Sequence, residues 1–184
     1  MSNLDIIRHV DIASLRVIQY PDPRLLTPSV ELEEIDEPTL RPLIQRMFEL
    51  MFLAKGVGLA APQVGINLRL FVGSPSYEPT DLRVYINPRI LSAEDHVDDE
   101  EGCLSVPGIH VQIRRYAQAT IEATDLTGGR FQEAGKGLLA RLYQHETDHL
   151  DGRLVVDRMS PIARLSHRRT LRELEEKFAE KSTR

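Results

Sequence analysis

Two histidines and a glutamate stand close together at residues 144–149, Gln-His-Glu-Thr-Asp-His. In an α-helix, side chains four positions apart lie about 40° apart around the axis, so His145 and His149 share one face. Two imidazoles at this spacing bind one zinc-like ion, and Glu146 between them is placed to accept the proton of an attacking water. This HExxH pattern predicts the centre of a metal-dependent hydrolase. By itself it is of modest specificity, because paired histidines on a helix are also found packed or solvated.

The residues around the histidine pair predict a buried helix. Residues 137–143 are mostly apolar, as in a helix that packs in a core, and Asp151 and Gly152 follow as helix-ending residues. A metal site on a core helix is held rigidly, which catalytic geometry requires.

A catalytic zinc-type site takes three protein ligands and keeps a fourth position for water or substrate. One ligand must therefore come from outside this helix, and the leading candidate is Cys103, the single cysteine of the chain. A lone cysteine is more often a small buried hydrophobic residue. The alternatives are His96, His110 and the carboxylates of residues 98–101. A thiolate is a better ligand for iron or zinc than a further oxygen donor.

A third segment, residues 56–65, is rich in glycine and other small residues. Glycine lets the backbone approach a ligand closely, and the side-chain amide of Gln63 can donate a hydrogen bond to a developing oxyanion. The segment lacks both the Lys-Ser/Thr ending of a P-loop and the GxGxxG spacing of dinucleotide-binding loops. On its residues alone it is a helix-ending turn without an assigned role.

The composition is that of an ordinary globular protein. The chain has 184 residues, 41% hydrophobic and 28% charged, which predicts one domain with a sizeable core. No apolar run approaches the roughly 20 residues that cross a bilayer, and residues 1–10 show no secretory signal. A single cysteine excludes an internal disulfide framework and fits a reducing compartment. We therefore expect a cytoplasmic location and no membrane partner.

The net charge of −5 argues against general nucleic-acid binding, and no DNA partner is expected. The charge is unevenly placed, because residues 160–184 hold seven Lys/Arg and four Asp/Glu. A basic tail on an acidic body can mark a contact with an acidic partner surface. The alternative is a solvated terminal helix with mixed charges.

The apolar pattern predicts an α+β fold. An amphipathic helix is expected at residues 39–55 and a last helix at 161–181, with the metal-binding helix before it. Short strands are expected at residues 68–72, 82–86, 111–113 and 119–123. A turn at 127–129 leads into Phe131. The prediction is thus short antiparallel strands packed around a central helix that carries HExxH, with a C-terminal helix. Residues 1–15 are expected to form a loosely held lead-in.

Three motifs resemble, in this order, the signature motifs of the peptide deformylases. They are Gly-Val-Gly-Leu-Ala-Ala-Pro-Gln at residues 56–63, Glu-Gly-Cys-Leu-Ser at 101–105 and Gln-His-Glu-Thr-Asp-His at 144–149. The segment Tyr-Pro-Asp-Pro-Arg-Leu at 20–25 is also similar to the N-terminal part of that family. The resemblance runs from about residue 16 to 160, nearly the whole domain. Each motif alone is modestly specific, whereas the three together are a strong signature.

The resemblance implies removal of the formyl group from the N-terminal formyl-methionine of newly synthesised polypeptides, with release of formate. It implies an N-terminal extension at residues 1–15, a catalytic domain at 16–160 and a C-terminal helix at 161–184. In some family members the C-terminal helix is thought to dock on the ribosome. Basic charge gathers on this helix at Arg164, Arg168, Arg169 and Arg172. The expected partners are a formyl-methionyl nascent polypeptide and the ribosome.

The resemblance also implies the metal ligands and the catalytic acid–base group. Cys103, His145 and His149 would bind the metal, which in this family is usually Fe(II), with zinc or nickel as substitutes. Glu146 would act as the general base and then the general acid, a role typically worth about 10²–10⁴-fold in rate.

The remaining roles concern the substrate. Gln63 and the backbone N–H of Leu104 would bind the formyl oxygen as it becomes an oxyanion. Val57 and Gly58 would hold the substrate backbone in an extended form. The methionine pocket would be lined by two leucines of the metal-binding helix, Leu138 and Leu142.

Three positions of this chain differ from or add to the family pattern. Several family members carry a substrate-contacting arginine just after the second motif, and counting from Pro107 places His110 there in this chain. Arg115 resembles the family's other arginine in this region, and a pairing with Glu101 is expected. Arg141 occupies a pocket-rim position that is often apolar, which predicts a different preference for the residue after methionine.

Two alternatives compete with this interpretation. Another HExxH hydrolase, such as a peptidase, would have a further His or Glu ligand downstream, and the segment around Cys103 argues against it. A non-catalytic relative that binds nascent chains or the ribosome would be favoured if Glu146, Gln63 or a metal ligand were replaced, and none is.

Overall fold

One antiparallel sheet of five strands forms the scaffold, and its strands follow one another in chain order. They are β1 (Gly58–Ala60), β2 (Leu70–Gly73), β3 (Arg83–Gly102), β4 (His110–Thr124) and β5 (Arg130–Lys136). The computed structural model describes residues 4–182. The α+β fold with antiparallel strands and a C-terminal helix is confirmed.

Six α-helices accompany the sheet within residues 4–182. They are α1 (Asp5–Arg8), α2 (Glu37–Leu53), α3 (Leu138–Leu150), α4 (Val155–Arg158), α5 (Pro161–Ser166) and α6 (Arg168–Ser182). None of the helices in this range is long and apolar enough to cross a membrane. The helix that carries HExxH is α3, and it ends at Asp151 and Gly152 as predicted.

The strands are longer than predicted. β3 begins near the strand expected at residues 82–86 but continues to Gly102, and β4 joins the two strands expected at 111–113 and 119–123. Residues 94–100 of β3 are all exposed. A strand stretch that does not bury one face has no apolar alternation, so the sequence pattern does not reveal it. Interruptions of the register near Pro88 further disturb the pattern.

The expected last helix is divided into two. α5 and α6 are separated at His167, where α5 ends. Leu171 and Leu174 of α6 are buried in one of the cores, whereas Ile162 and Leu165 of α5 are exposed. The spacing of the charged residues is helical throughout, which is why the sequence predicted a single helix.

The expectation of a loosely held lead-in was wrong for the described part of residues 1–15. Leu4 and Ile7 are buried in the same core as Leu40 and Leu43 of α2. The physical reason is that Leu4, just before the short helix α1, and Ile7 within it both face the core, and α1 packs against α2. Residues 1–3 lie outside the described range.

α3 packs against the sheet through an aromatic core. Tyr143 of α3 meets Tyr85 of β3 edge to face, with ring centroids 5.6 Å apart, and Tyr85 stacks on Phe71 of β2 at 4.5 Å. Gly135 of β5 permits this approach, because a Cβ at that position would lie 2.7 Å from the Tyr143 ring. Close packing of this kind fixes the rotation of α3, so the opposite side of the helix presents a defined set of side chains.

Candidate metal centre and substrate cleft

Cys103, His145 and His149 converge on one point. Cys103 follows β3, and the two histidines stand one turn apart on α3. One ligand atom from each residue lies within 4.8 Å of the others. Cys103 Sγ is 3.3 Å from His149 Nε2, and the two imidazole ring centroids are 5.0 Å apart. The structure therefore brings together, from two separate elements, the three residues that the sequence proposed as ligands.

The two histidines that were alternatives for the third ligand lie elsewhere. His96 stacks on Tyr116, with ring centroids 4.2 Å apart. His110 lies beside Gly102, and its side chain is 67% exposed. Neither belongs to the cluster of ligand atoms formed by the described residues.

The donor set suits a metal ion. One thiolate and two imidazoles are ligands for iron, zinc or nickel, and three protein ligands leave a position for water or substrate. Burial lowers the pKa of His149 well below its ordinary value, so its imidazole is held in the neutral form that ligates a metal. The convergence of the three ligand atoms and the chemistry of these donors therefore fit a metal ion.

Glu101 orients the first histidine of the pair. His145 Nδ1 lies 3.0 Å from Glu101 Oε2, which leaves Nε2 as the free ring nitrogen. A carboxylate on the far nitrogen fixes the tautomer and orientation of a ligating imidazole and raises its basicity. The pairing of Glu101 with Arg115 was expected from the family resemblance, but its contact with His145 was not predicted, because nothing in the sequence links residue 101 to the helix that carries the histidines.

Two buried arginines hold Glu101 in place. Arg115 donates to both Glu101 oxygens, at 2.9 and 3.1 Å, as predicted, and Arg141 donates to Oε1 at 2.6 Å. Burial alone would raise the pKa of the Glu101 carboxyl, but the hydrogen bonds from His145 and Arg115 outweigh it and hold that pKa well below its usual range. Glu101 is therefore ionised at any physiological pH.

Arg141 borders the cleft, as the resemblance implied. Its guanidinium is buried and bonded to Glu101 and to the backbone oxygen of Ile113. An arginine whose donors are already engaged inside the protein supports the site rather than selecting a substrate side chain. The sequence does not show which partners an arginine at the rim has inside the protein, so these bonds of Arg141 were not predicted.

A second buried carboxylate extends the network below α3. Asp148 accepts hydrogen bonds from Arg115 and from Arg158 of α4, the latter at 3.0 Å from Arg158 Nε. Sequence analysis left open whether Asp148 supports the site or faces solvent or an arginine. It is buried, and it connects α3 to β4 and α4.

Glu146 lies in the cleft beside His145 and is almost completely buried. Its Oε2 has no hydrogen-bond partner among the described residues, and burial raises its pKa to about 7. A carboxylate with such a pKa can both accept and return a proton near neutral pH. Gly58 makes room for it, because a Cβ at that position would overlap Oε1 and lie 2.9 Å from Cδ.

Gln63 stands in the 3-10 turn Ala61–Val64, and its amide is held from both ends. Oε1 accepts a hydrogen bond from the backbone N–H of Ala60 at 2.8 Å. Nε2 donates to Ser105 Oγ at 3.2 Å and lies 3.8 Å from Cys103 Sγ. The amide nitrogen is thereby held beside the ligand Cys103. Ser105 was not singled out from the sequence, although it lies in the second motif.

A cleft of about 550 Å³ opens over this cluster. Its lining includes all the residues assigned to the reaction or to the substrate: Val57, Gly58, Gln63, Leu104, His110, Leu138, Leu142 and Glu146. Leu142 is buried against Gly73, while Leu138 is exposed at the mouth. Cys103 and His145 border the cleft as well, so the ligand atoms are accessible from it.

A cysteine sulfur and two imidazoles beside a carboxylate with raised pKa, at the floor of a cleft, define a metal-dependent hydrolase. The sequence model of the family described as polypeptide deformylase matches residues 14–165. The chain belongs to the polypeptide deformylase family. Its members are metal-dependent enzymes that remove the formyl group from the N-terminus of newly synthesised polypeptides.

Named relatives agree with this assignment. The chain is 42% identical over 171 residues to peptide deformylase 1B, chloroplastic/mitochondrial, of Arabidopsis thaliana, covering 91% of this chain. This chain spans 62% of the length of that relative. It is also 45% identical over 150 residues to the peptide deformylase of Acidobacterium capsulatum, covering 80% of this chain and 88% of the relative.

Solved structures of peptide deformylases have the same fold. A crystal structure of the Arabidopsis thaliana enzyme 1B superposes with a TM-score of 0.87 at 40% identity, covering 92% of this chain and 95% of that one. A peptide deformylase from Legionella pneumophila gives a TM-score of 0.83 at 41% identity, covering 90% of this chain and 98% of that one.

Proposed function

We propose that this chain removes the formyl group from the formyl-methionine of nascent polypeptides, with Fe(II) held by Cys103, His145 and His149. The observation that supports this most directly is the convergence of these three ligand atoms beside Glu146 in a cleft. The donor set suits zinc and nickel as well as iron, and Fe(II) is proposed because it is the usual ion of the family.

The proton transfers are assigned to Glu146. When bound, the metal lowers the pKa of water toward neutrality and polarises the formyl oxygen. Glu146 accepts a proton from the attacking water and returns it to the leaving nitrogen as the C–N bond breaks, which yields formate and a free amine. The orphan Oε2 and the raised pKa support this role.

Two donors are assigned to the formyl oxygen, the Gln63 amide and the backbone N–H of Leu104. The Gln63 amide is fixed by Ala60 and Ser105, so it needs no reorganisation when charge develops. Losing one such donor typically costs about 2.7–4 kcal/mol of activation free energy. Leu104 directly follows the ligand Cys103, which places its backbone next to the reacting group.

The extended substrate is assigned to the edge of the sheet. β1 pairs only with β2 in the described sheet, so its other edge is available, and Val57 and Gly58 at that edge line the cleft. A peptide that adds as a strand gains main-chain hydrogen bonds there. Leu138 and Leu142 would line the methionine pocket, and His110 would contact the substrate at the rim, where other family members have an arginine.

We also propose the partition into residues 1–15, 16–160 and 161–184, with a cytoplasmic location. The single cysteine, which a reducing compartment keeps as a thiol, supports the location. Burial of Leu171 and Leu174 supports a C-terminal helix that packs on the catalytic domain.

Ribosome binding through the C-terminal helix is a further part of this proposal. Arg169 and Arg172 are paired with glutamates of α6, and Arg164 donates to the backbone of Val156. Arg168 has no carboxylate partner among the described residues and is exposed. The double variant Arg168→Glu with Arg169→Glu is expected to co-sediment less with ribosomes at low salt; equal co-sedimentation with wild type would contradict the proposal.

The test of the reaction is formate release from a formyl-Met peptide by protein prepared without oxygen. Glu146→Ala is measured alongside, with the bound metal quantified in both proteins. Rapid release by the wild type and a loss of about 10²–10⁴-fold in the variant, at equal metal content, would support both the reaction and the role of Glu146. Absence of release from folded, metal-loaded wild type would overturn the proposal.

A further inference from the structure

A second groove of about 550 Å³ uses a different face of α3. The active-site cleft is bordered by Leu138, Leu142 and His145, whereas this groove is bordered by Gln144, Thr147 and other residues outside that cleft. Six arginines line it: Arg69, Arg89, Arg114, Arg115, Arg153 and Arg158. The whole chain has a net charge of −5, so this concentration of guanidinium groups is a local excess of positive charge. We call this feature the arginine groove.

The carboxylates of the arginine groove are already neutralised. Its two acidic residues are Asp148, which pairs with Arg115 and Arg158, and Asp151, which pairs with Arg69 at 2.8 Å. The carboxylates therefore cancel part of the positive charge, and each is engaged by a guanidinium group that is close to it.

Two cations of the groove form no ion pair among the described residues, although Asp98 stands opposite Arg114 in the strand register. Arg114 and Arg153 are exposed, and neither has a carboxylate within salt-bridge distance among residues 4–182. Arg89, at the same groove, pairs with Glu31 at the surface. Unpaired guanidinium groups at a concave surface are available for phosphate, which they bind in a bidentate manner.

An aromatic surface adjoins these cations. The ring of Tyr116 stacks on His96 at a centroid distance of 4.2 Å and an interplanar angle of 28°, and Tyr116 is 37% exposed. Its backbone N–H donates to Gln144 Oε1 and its backbone oxygen accepts from Gln144 Nε2, at 2.9 Å each, which fixes the backbone at Tyr116. Thr147 Oγ1, buried at the groove, has no hydrogen-bond partner among the described residues.

We propose that the arginine groove binds single-stranded RNA. Phosphates would pair with Arg114 and Arg153, and one base would stack on Tyr116. Guanidinium groups beside an aromatic ring are the combination that binds single strands, because charge tracks the backbone while any base can stack. An acidic peptide would use the arginines but has no need of the ring. The choice of RNA rests on the proposed function, which brings the chain to newly synthesised polypeptides and thus to ribosomes.

The test uses fluorescence anisotropy of a labelled single-stranded RNA of about 12 nucleotides, titrated with the full chain at several salt concentrations. The groove variant is Arg114→Gln with Arg153→Gln. The matched control is Arg16→Gln with Arg130→Gln, which removes two exposed arginines that also have no carboxylate partner among residues 4–182 and that do not line the groove.

Wild type and control are expected to bind RNA equally, while the groove variant binds more weakly. The slope of log K against log salt should fall by about 1.4 in magnitude in the groove variant, since each phosphate contact on a single strand contributes about 0.7. Tyr116→Ala is expected to weaken binding about tenfold without changing the slope. Formate release by the groove variant should equal that of wild type, because the changed residues lie outside the active-site cleft.

The proposal is overturned if wild type does not bind the RNA, or if groove and control variants weaken binding equally. It is also overturned if a polyglutamate peptide displaces the RNA at equal charge concentration, which would indicate an acidic protein partner instead. Because binding is measured without a formylated peptide, failure here is distinguishable from failure of the proposed reaction.

Discussion

Arginine–carboxylate pairs occur in two contrasting settings in this chain. Under α3, the side chains of Arg115 and Glu101 are both only 4% exposed, whereas on α6 the side chains of Arg169 and Glu173 are 92% and 48% exposed. Breaking a buried pair typically costs about 3–5 kcal/mol because it leaves an uncompensated charge, while an exposed helical pair contributes about 0.3–0.5 kcal/mol. The same two residue types therefore serve quite different purposes.

The buried pairs connect the elements that carry the metal ligands. Glu101 belongs to β3, just before Cys103, and it contacts His145 of α3 as well as Arg115 of β4. Asp148 of α3 shares Arg115 with it. The ligand from the sheet and the ligands from the helix are thus held at a fixed separation. The exposed pairs of α6 join residues of one helix and position nothing else.

Replacing Glu101 should have the largest effect. In Glu101→Ala, Arg115 and Arg141 lose their buried carboxylate and His145 loses its orienting contact. We expect the free energy of unfolding of the metal-free protein to fall by about 3–5 kcal/mol, and metal affinity to fall about 10–100-fold. Urea unfolding and metal titration measure the two effects. A decrease in the free energy of unfolding of less than about 0.5 kcal/mol would show that the buried pairs contribute no more to stability than the exposed ones.

Gly58→Ala tests the close approach of backbone to Glu146. The new methyl group would overlap the carboxylate, which must move, and misplacement of a catalytic group by about 1 Å can cost about 10²-fold in rate. We expect kcat/KM for a formyl-Met peptide to fall by about that factor while the protein remains folded. Unchanged kcat/KM would show that Glu146 tolerates displacement.

Asp148→Asn keeps the shape of the side chain but removes its charge. Arg115 retains Glu101, and Arg158 is partly exposed, so the remaining charges are better compensated than after loss of Glu101. Hydrogen bonds to charged groups contribute about 1.5–3 kcal/mol, and we expect destabilisation within that range by urea unfolding. A loss as large as that of Glu101→Ala would place Asp148, rather than Glu101, at the centre of the network.

Glu173→Gln is expected to have the smallest effect, and it serves as the control in which an exposed pair is broken. It removes the partner of Arg169 on the surface of α6. The free energy of unfolding should change by less than about 0.5 kcal/mol, and formate release should stay the same. A loss above 1 kcal/mol would mean that the exposed pairs of α6 are not energetically distinct from the buried set.

The relative placement of the two histidines could be predicted because helical geometry links them, whereas Cys103 and the substrate residues came from the resemblance of the motifs. The spacing of His145 and His149 places them on one face of any helix, and the structure brings Cys103 to them as proposed. The lining of the cleft also contains the substrate residues assigned from the motifs. The strand lengths were predicted poorly, since β3 between residues 94 and 100 has no buried face to impose a pattern.

The chemistry of the site can be predicted from residue types and spacing: two imidazoles and a carboxylate on one helix, a single thiol, and a glycine-rich segment that permits close approach. The structure adds contacts that the residues alone do not reveal: Glu101 also contacts His145, and the Arg141 guanidinium is bonded inside the protein. It also brings Arg114 and Arg153 to one groove, where neither has a carboxylate within salt-bridge distance among the described residues. The difference arises because the two kinds of feature depend on interactions of different range along the chain. Helical spacing is set by neighbours along the chain, whereas charge pairing depends on strand register and on elements that are distant in sequence.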